Sequence, residues 1–214
     1  VIRWLYERHL LSRIETLPSH VCFMITGQEA KDAPHKIVEV TRWCADVSLT
    51  VQEAARRAGR PHGGTQIEGV TFHISTPDPR EILPLFTVFE EISRFALLVL
   101  HWNDETRASG TGMPVSIAVG KSGREEIAEC IRRIAAEGIP PSQVTEKTIE
   151  EHLTFRYTPD LVIKTGGSHL TDFLIWQSVY SELFFSDVNW IFFRKTDFLR
   201  ALRDYQSRVR RFGR

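Results

Sequence analysis

The sequence carries no net charge, its 27 Lys and Arg residues being balanced by 27 Asp and Glu. A nucleic-acid binder ordinarily shows a basic excess, so no nucleic-acid partner is expected. Cysteine is scarce. Cys22, Cys44 and Cys130 are odd in number and far apart, with no CxxC pair and no metal-ligand spacing. That pattern fits reduced, mostly buried thiols in a cytosolic protein, not a disulfide framework or a zinc site. Long apolar runs are missing too. The longest, Phe95 to Leu100, is far too short to span a bilayer. No charged-then-apolar leader opens the chain. The expected location is therefore cytoplasmic, with membrane contact peripheral at most. No internal repeat and no Gly- or Pro-rich linker divides the chain, so a single domain over residues 1–214 is expected. A chain of this length buries roughly 70% of its unfolded surface, enough for a core without staples.

What is present alternates between two periods. Leu5, His9, Leu10 and Ile14 predict an amphipathic helix over Ile2–Ile14, ended before Pro18. His20–Ile25 (HVCFMI) reads as a buried strand. Ile37, Val40, Cys44, Val47 and Val51 recur at helical spacing, and Arg60–Thr65 (RPHGGT) is a loop. Val70–Ser75 (VTFHIS) alternates like a strand. Asp78-Pro79 is a helix start, and Val88, Ile92, Phe95 and Val99 are expected to continue one helical face. Asn103–Gly112 reads as a loop, Val115–Val119 as a strand, and Ile127, Cys130, Ile131 and Ile134 as a helix whose start, Glu125-Glu126, is expected to be exposed. Thr145 caps a short helix to Leu153, Asp160–Ile163 is a strand, Phe173–Tyr180 a helix and Leu183–Phe185 a strand. Thr196 or Asp197 opens the last helix. The fold class that follows is α/β: one domain with a mostly parallel central sheet flanked by helices. Ligands in such sheets gather at the carboxyl ends of the strands, so Thr26-Gly27 and Lys164–Gly167 are expected to face one site.

The run DLVIKTGGSHLTDFLIWQSVYSELFFSDVNW, Asp160 to Trp190, resembles the signature region of the cis-prenyltransferases, which include undecaprenyl diphosphate synthase. Their pattern is close to DLVIRTxGExRxSxFLLWQxxYxELxF, and the likeness extends through Arg210-Arg211-Phe212-Gly213. Upstream, His20–Gly27 resembles HVAIIMDG, His35-Lys36 matches part of GHKAG, and Val115–Arg124 resembles LNIAVNYGGR. The resemblance implies a parallel sheet with helices around a hydrophobic tunnel, working as a dimer on isopentenyl and allylic diphosphates with Mg2+.

The departures bear on activity. The family's DGNGRWA motif supplies a magnesium-binding aspartate; here the segment is Thr26-Gly27-Gln28-Glu29-Ala30. A hydroxyl does not bring the full negative charge a hard cation prefers. The phosphate-holding arginine position is Ala30, and FSTENW reads Ile74–Pro79 without Glu, Asn or Trp. The signature arginine is Lys164, a point charge in place of a planar fork. Its glutamate is Ser168, and Thr171 stands for the serine.

This combination resembles the accessory subunits of heteromeric cis-prenyltransferases, of which the Nogo-B receptor is the animal example. The resemblance implies a heterodimer with a catalytic homologue that holds Mg2+, to whose site Arg211 and Gly213 are donated. It implies diphosphate binding at Lys164 and Thr171, and an interface at Phe173, Trp176, Tyr180, Glu182 and Phe184; no metal ligand is assigned to this chain. The four terminal arginines also suit a plain solvated helix end, and His20 and His35 are read as structural. Two alternatives stay open: an active homodimer in which Glu29 or Asp32 replaces the lost carboxylate, and a prenyl-lipid-binding or scaffold protein.

Overall fold

His20–Thr26 forms β1, a central strand whose five inner residues are all buried. The structure is a computed structural model and describes residues 2–60, 63–102, 105–120, 122–167, 174 and 176–208. Helix α1 (Ile2–Leu11) precedes β1. The short α2 (Gly27–Asp32) and the long α3 (His35–Arg57) follow it. Then come β2 (Gly69–Ser75), a 3-10 helix over Pro79–Leu85, α4 (Phe86–Phe89), β3 (Leu97–Trp102), β4 (Glu105–Ser109) and β5 (Pro114–Val119). The chain continues through α5 (Gly123–Ala136), α6 (Glu146–His152), β6 (Leu161–Thr165), β7 (Glu182–Ser186) and α7 (Lys195–Ser207).

The strands make one sheet in the order β4-β3-β5-β2-β1-β6-β7. All neighbours are parallel except β3 and β4. The expected single α/β domain is the one observed. β1 pairs Phe23 with Phe72 of β2 and Met24 with Lys164 of β6, which brings the ends of β1, β2 and β6 level.

The two sheet faces are covered unequally. Val21, Phe23 and Ile25 of β1 and Val70, Phe72 and Ile74 of β2 point into a large core shared with α3 and α7. The helical spacing of Ile37, Val40, Cys44, Val47 and Val51 is what puts that face of α3 on the sheet. Phe23 stacks on Phe72 at 5.2 Å between ring centres and lies 5.9 Å from Phe198 of α7. Truncating Phe23 to Ala would remove about 4 kcal/mol through lost burial and the cavity left behind. On the other face, Cys22, Met24, Ala118 and Val162 meet Phe155 and Leu174.

Four sequence expectations need correction. The apolar run predicted to continue a helix through Val99 is instead β3, parallel to β5. Ala96 to Leu100 is apolar at every position, which suits a covered strand better than one helical face. The polar stretch predicted as loop contains β4, an edge strand with four of five residues exposed. Its polarity reflects an edge that faces solvent. Of the helix expected over Phe173–Tyr180, the described residues 176–180 form turns. Glu125 is exposed and completes the cap of α5, whereas Glu126 is only 1% exposed.

Candidate functional site

The carboxyl ends of β1 and β6 lie side by side, but of the expected Lys164–Gly167 segment only Thr165 and Gly166 approach Glu29, and Lys164 faces the other side of the sheet. Thr26, the last residue of β1, is the N-cap of α2: its hydroxyl accepts from the Glu29 N–H at 3.2 Å. Glu29 Oε2 returns to Thr26, accepting from its backbone N–H at 2.8 Å and its hydroxyl at 2.9 Å. This reciprocal arrangement satisfies donors that a helix start otherwise leaves open. Glu29 Oε1 faces the Thr165 hydroxyl of β6 at 3.5 Å. Gly166, in the left-handed region at φ +73°, passes so close that a Cβ there would lie 3.1 Å from Asn189 Oδ1 and 3.3 Å from Glu29 Oε1.

Helix α2 is pressed over the ends of the strands. A Cβ on Gly27 would sit 2.8 Å from Thr76 Cβ, just past β2. Ala30 is fully buried, and Lys31 Nζ reaches Glu81 Oε2 at 2.6 Å, tying α2 to the 3-10 helix. At the end of β5, Gly120 (φ +85°) admits Pro79, whose Cγ would lie 2.3 Å from any Cβ there. The strand ends are thus covered by α2 and the 3-10 helix.

Lys164 lies on the opposite sheet face from Thr165, beside Met24 in register. It is only 9% exposed, and its Nζ donates to the Thr165 carbonyl at 2.8 Å. Thr171, Arg211, Gly213 and Phe173 lie outside the described residues. Among the described interface candidates, Trp176 is half-buried against Cys130, Ile134 and Leu153. Phe184 packs on the main core, and Tyr180 is 63% exposed. Glu182 is held within the chain by Arg208, Nη1 to Oε2 at 3.1 Å. β7 is an edge of the sheet, and Phe185 on it is 39% exposed.

His20 stacks on Tyr157 at 5.2 Å, and its Nε2 shares a hydrogen bond with the Thr71 hydroxyl at 2.8 Å. Burial lowers its pKa to about 4 against the opposing pull of Asp160. His35 lines a surface cleft of about 440 Å³ with Asp32, Lys36, Glu39, Arg42 and Glu91, and its Nδ1 is 3.8 Å from Glu91. The three thiols are unpaired and buried; burial pushes Cys22 up to about 12 and raises Cys44 and Cys130.

Sequence reasoning missed Glu126. Its Oε1 accepts from the backbone N–H groups of Thr154 and Phe155, clamping the segment before β6 to α5. No motif announces this, because a Glu in a first helical turn ordinarily caps or faces solvent. The Thr26-x-x-Glu29 spacing, by contrast, is a readable capping signature.

The strand order and pairing define an open, mostly parallel α/β sheet, an architecture in which ligands bind beyond the carboxyl ends of the strands. Residues 91–213 match the family model described as "Putative undecaprenyl diphosphate synthase". Isoprenyl transferase 1 of Corynebacterium diphtheriae is 35% identical over 97% of this chain and 92% of its own length. The tritrans,polycis-undecaprenyl-diphosphate synthase (geranylgeranyl-diphosphate specific) of Methanocaldococcus jannaschii is 32% identical over 98% and 88%. The crystal structure of lavandulyl diphosphate synthase from Lavandula x intermedia superposes with a TM-score of 0.66 at 23% identity, covering 92% of this chain and 99% of that one. The chain belongs to the cis-prenyltransferase, undecaprenyl diphosphate synthase-like, family. The C. diphtheriae alignment runs over 247 positions, more than the 214 residues here, so that relative carries internal segments this chain lacks. The family-model match begins after β1, α2 and β2.

The family is generally Mg2+-dependent. The described donors do not fit such an ion in this chain. At the end of β1 the groups are a hydroxyl and a carboxylate whose Oε2 already accepts two hydrogen bonds. Among the described residues no group of three or more His, Cys, Asp or Glu is arranged to hold a metal. Nor is any helix among them long and apolar enough to cross a membrane.

Proposed function

We propose that this chain is the non-catalytic accessory subunit of a heteromeric cis-prenyltransferase. The observation that carries the reading is the closed end of β1: Thr26 stands at the aspartate position, and Glu29 is folded onto it as a helix cap. A group that ionises an allylic diphosphate needs a free carboxylate and room there, whereas the one carboxylate α2 brings, Glu29, is engaged by its own helix cap. The partner, a homologue with the intact motif, holds Mg2+ and ionises the allylic diphosphate. Ionisation breaks the allylic C–O bond and releases pyrophosphate; the double bond of isopentenyl diphosphate then attacks the allylic carbon, and the resulting carbocation loses a proton to give the cis double bond. This chain contributes Arg211, whose guanidinium compensates diphosphate charge, and Gly213, which allows close backbone approach.

The edge position of β7 and the exposure of Tyr180 and Phe185 support pairing through this region. Lys164, a buried cation at the end of β6, is the group this reading assigns to the diphosphate, with Thr171 as the second assigned residue. The assembly is assigned to the cytoplasm, with membrane contact peripheral at most.

A second reading, an active homodimer, is favoured by one placement: Glu29 sits between the ends of β1 and β6, where a substitute carboxylate would be needed. Radiolabelled isopentenyl diphosphate incorporation separates the two. The chain alone, a motif-intact homologue from the same source alone, and the pair co-expressed are assayed. Activity only in the pair, lost with Arg211→Ala, is expected. Turnover by the chain alone overturns the accessory role and turns attention to Glu29 and Asp32.

A further inference from the structure

Helix α6 (Glu146–His152) is seven residues long, and none of them is fully buried. A helix that short does not hold itself together in water. Its start is capped by Thr145, whose hydroxyl accepts from the Thr148 N–H at 3.2 Å. Ile149 and the adjoining Leu153 pack with Cys130 and Ile134 of α5. The C-terminal turn has a further attachment, His152, which the proposed function does not use.

The His152 side chain is 13% exposed. Both of its ring nitrogens face acceptors: Nδ1 lies 2.6 Å from the Thr148 carbonyl oxygen, and Nε2 lies 3.0 Å from Oε2 of Glu137 at the end of α5. A neutral imidazole carries one N–H and satisfies only one of these oxygens, whereas the imidazolium donates to both. The geometry is therefore that of a charged ring, at a helix C-terminus, where a cation is favoured. The hydrogen bond to Glu137 raises the His152 pKa above the ordinary 6.5; the Thr148 carbonyl and the charges of Glu137 and Glu151 act the same way, and desolvation opposes them. The nearby cations have partners of their own. Arg133 of α5 donates to the His152 carbonyl at 3.3 Å and to the Thr154 hydroxyl at 3.2 Å, and lies 3.6 Å from Glu129. Lys147 of α6 lies 3.8 Å from Glu151.

The His152–Glu137 contact ties the C-terminal ends of α5 and α6 together. α6 also forms one wall of a surface cleft of about 460 Å³, where Lys147, Glu150 and Glu151 stand beside Leu153, Phe155 and Trp176. The Phe155 side of the cleft is fixed independently of His152. Glu126 holds the Thr154 and Phe155 N–H groups, and Gln177 donates to the Phe155 carbonyl at 2.9 Å. The wall made by α6 ends at His152 itself.

We propose that His152 is a proton-operated latch: charged, it holds the C-terminal turn of α6 against the end of α5, and on losing its proton it releases that turn and loosens the wall of the cleft. A histidine whose pKa is higher in the closed form than in the open one stabilises the closed form fully below 6.5, and loses that contribution as the pH rises through its folded value. His20, held at about 4, is uncharged throughout that range and takes no part. The latch is independent of the accessory role, since neither a partner subunit nor a substrate enters it.

The test follows the full chain by NMR between pH 5.5 and 8.5, with the His152 ring proton assigned by its absence from His152→Gln. Its midpoint is expected above 6.5, and is expected to fall toward 6.5 in Glu137→Gln, a change at an exposed position. Amide hydrogen exchange of α6, referred to that of α7 in the same sample, should lose protection as the pH rises through the midpoint. The loss should be about tenfold for each pH unit by which the midpoint exceeds 6.5. His152→Gln should show the loosened α6 at every pH while α7 keeps its protection. A midpoint at or below 6.5, a midpoint that Glu137→Gln does not move, or α6 protection that stays constant with pH relative to α7 overturns the proposal.

Discussion

Glu29 closes onto Thr26: one carboxylate oxygen accepts both the backbone N–H and the hydroxyl of the residue that caps its own helix. The carboxylate that follows β1 is therefore part of the local architecture. Glu29→Gln keeps an acceptor on the side chain but weakens the charge-assisted bonds. It is expected to lower stability by about 1 kcal/mol, the size of a capping interaction, as read by urea denaturation. Incorporation by the co-expressed pair should remain near the unmodified level. A large loss of turnover with stability intact would mean that Glu29 serves the reaction.

Lys164 tests the diphosphate assignment. Its ammonium is almost fully covered and its hydrogen-bond partner is the carbonyl of the next residue. A buried cation that serves only the fold gains little over an apolar residue of the same length. Lys164→Met should therefore leave the ligand-free melting temperature nearly unchanged. Inorganic pyrophosphate should raise the melting temperature of the unmodified chain and not that of the variant, because a ligand stabilises only the state that binds it. Equal shifts in both would remove Lys164 from the diphosphate site.

Glu126 makes a third case. It accepts from two backbone N–H groups in the segment that leads into β6, and it is buried. Glu126→Ala leaves those donors unsatisfied and opens a small void. The expected loss is about 3 kcal/mol, with Glu126→Gln losing roughly half as much because its carbonyl still accepts. Equal losses for the two variants would show that the hydrogen bonds are not what Glu126 contributes.

These side chains also mark where the sequence could and could not be read. HVCFMI, VTFHIS and VSIAV are short apolar or alternating segments bounded by turn residues, and each is a strand of the sheet. The covered helical faces of α3 and α5 follow from their period. β3 and β4 failed because Val88, Ile92, Phe95 and Val99 mimic a helical stripe across α4, the 3-10 turn Glu90–Arg94 and a strand, and because an edge strand has no apolar face to announce it. The neighbourhood of the β1 and β6 ends, where Thr165 approaches Glu29, was legible, since Thr26 and Thr165 end strands of a parallel sheet. The burial of Glu126 was not, because its partners lie 28 and 29 residues further along the chain.

His20 gives a pH signature. Burial holds its folded pKa at about 4, below the ordinary 6.5, with Asp160 opposing. Between those values the unfolded chain binds a proton that the folded imidazole refuses. The contribution is therefore fully present above pH 6.5, falls as the pH drops through the window, and levels off below about 4. His101 shifts in the same direction through burial, and it remains in both proteins when unmodified chain and His20→Gln are compared. At pH 7.5 the variant should be less stable by about 1 kcal/mol, having lost the Thr71 bond and the Tyr157 stack. At pH 4.5 it should be the more stable by roughly 1–2 kcal/mol, since each pKa unit corresponds to about 1.4 kcal/mol. Urea denaturation of both proteins across this range measures the difference. A gap that stays constant with pH would mean that His20 titrates as freely in the folded protein as in the unfolded chain.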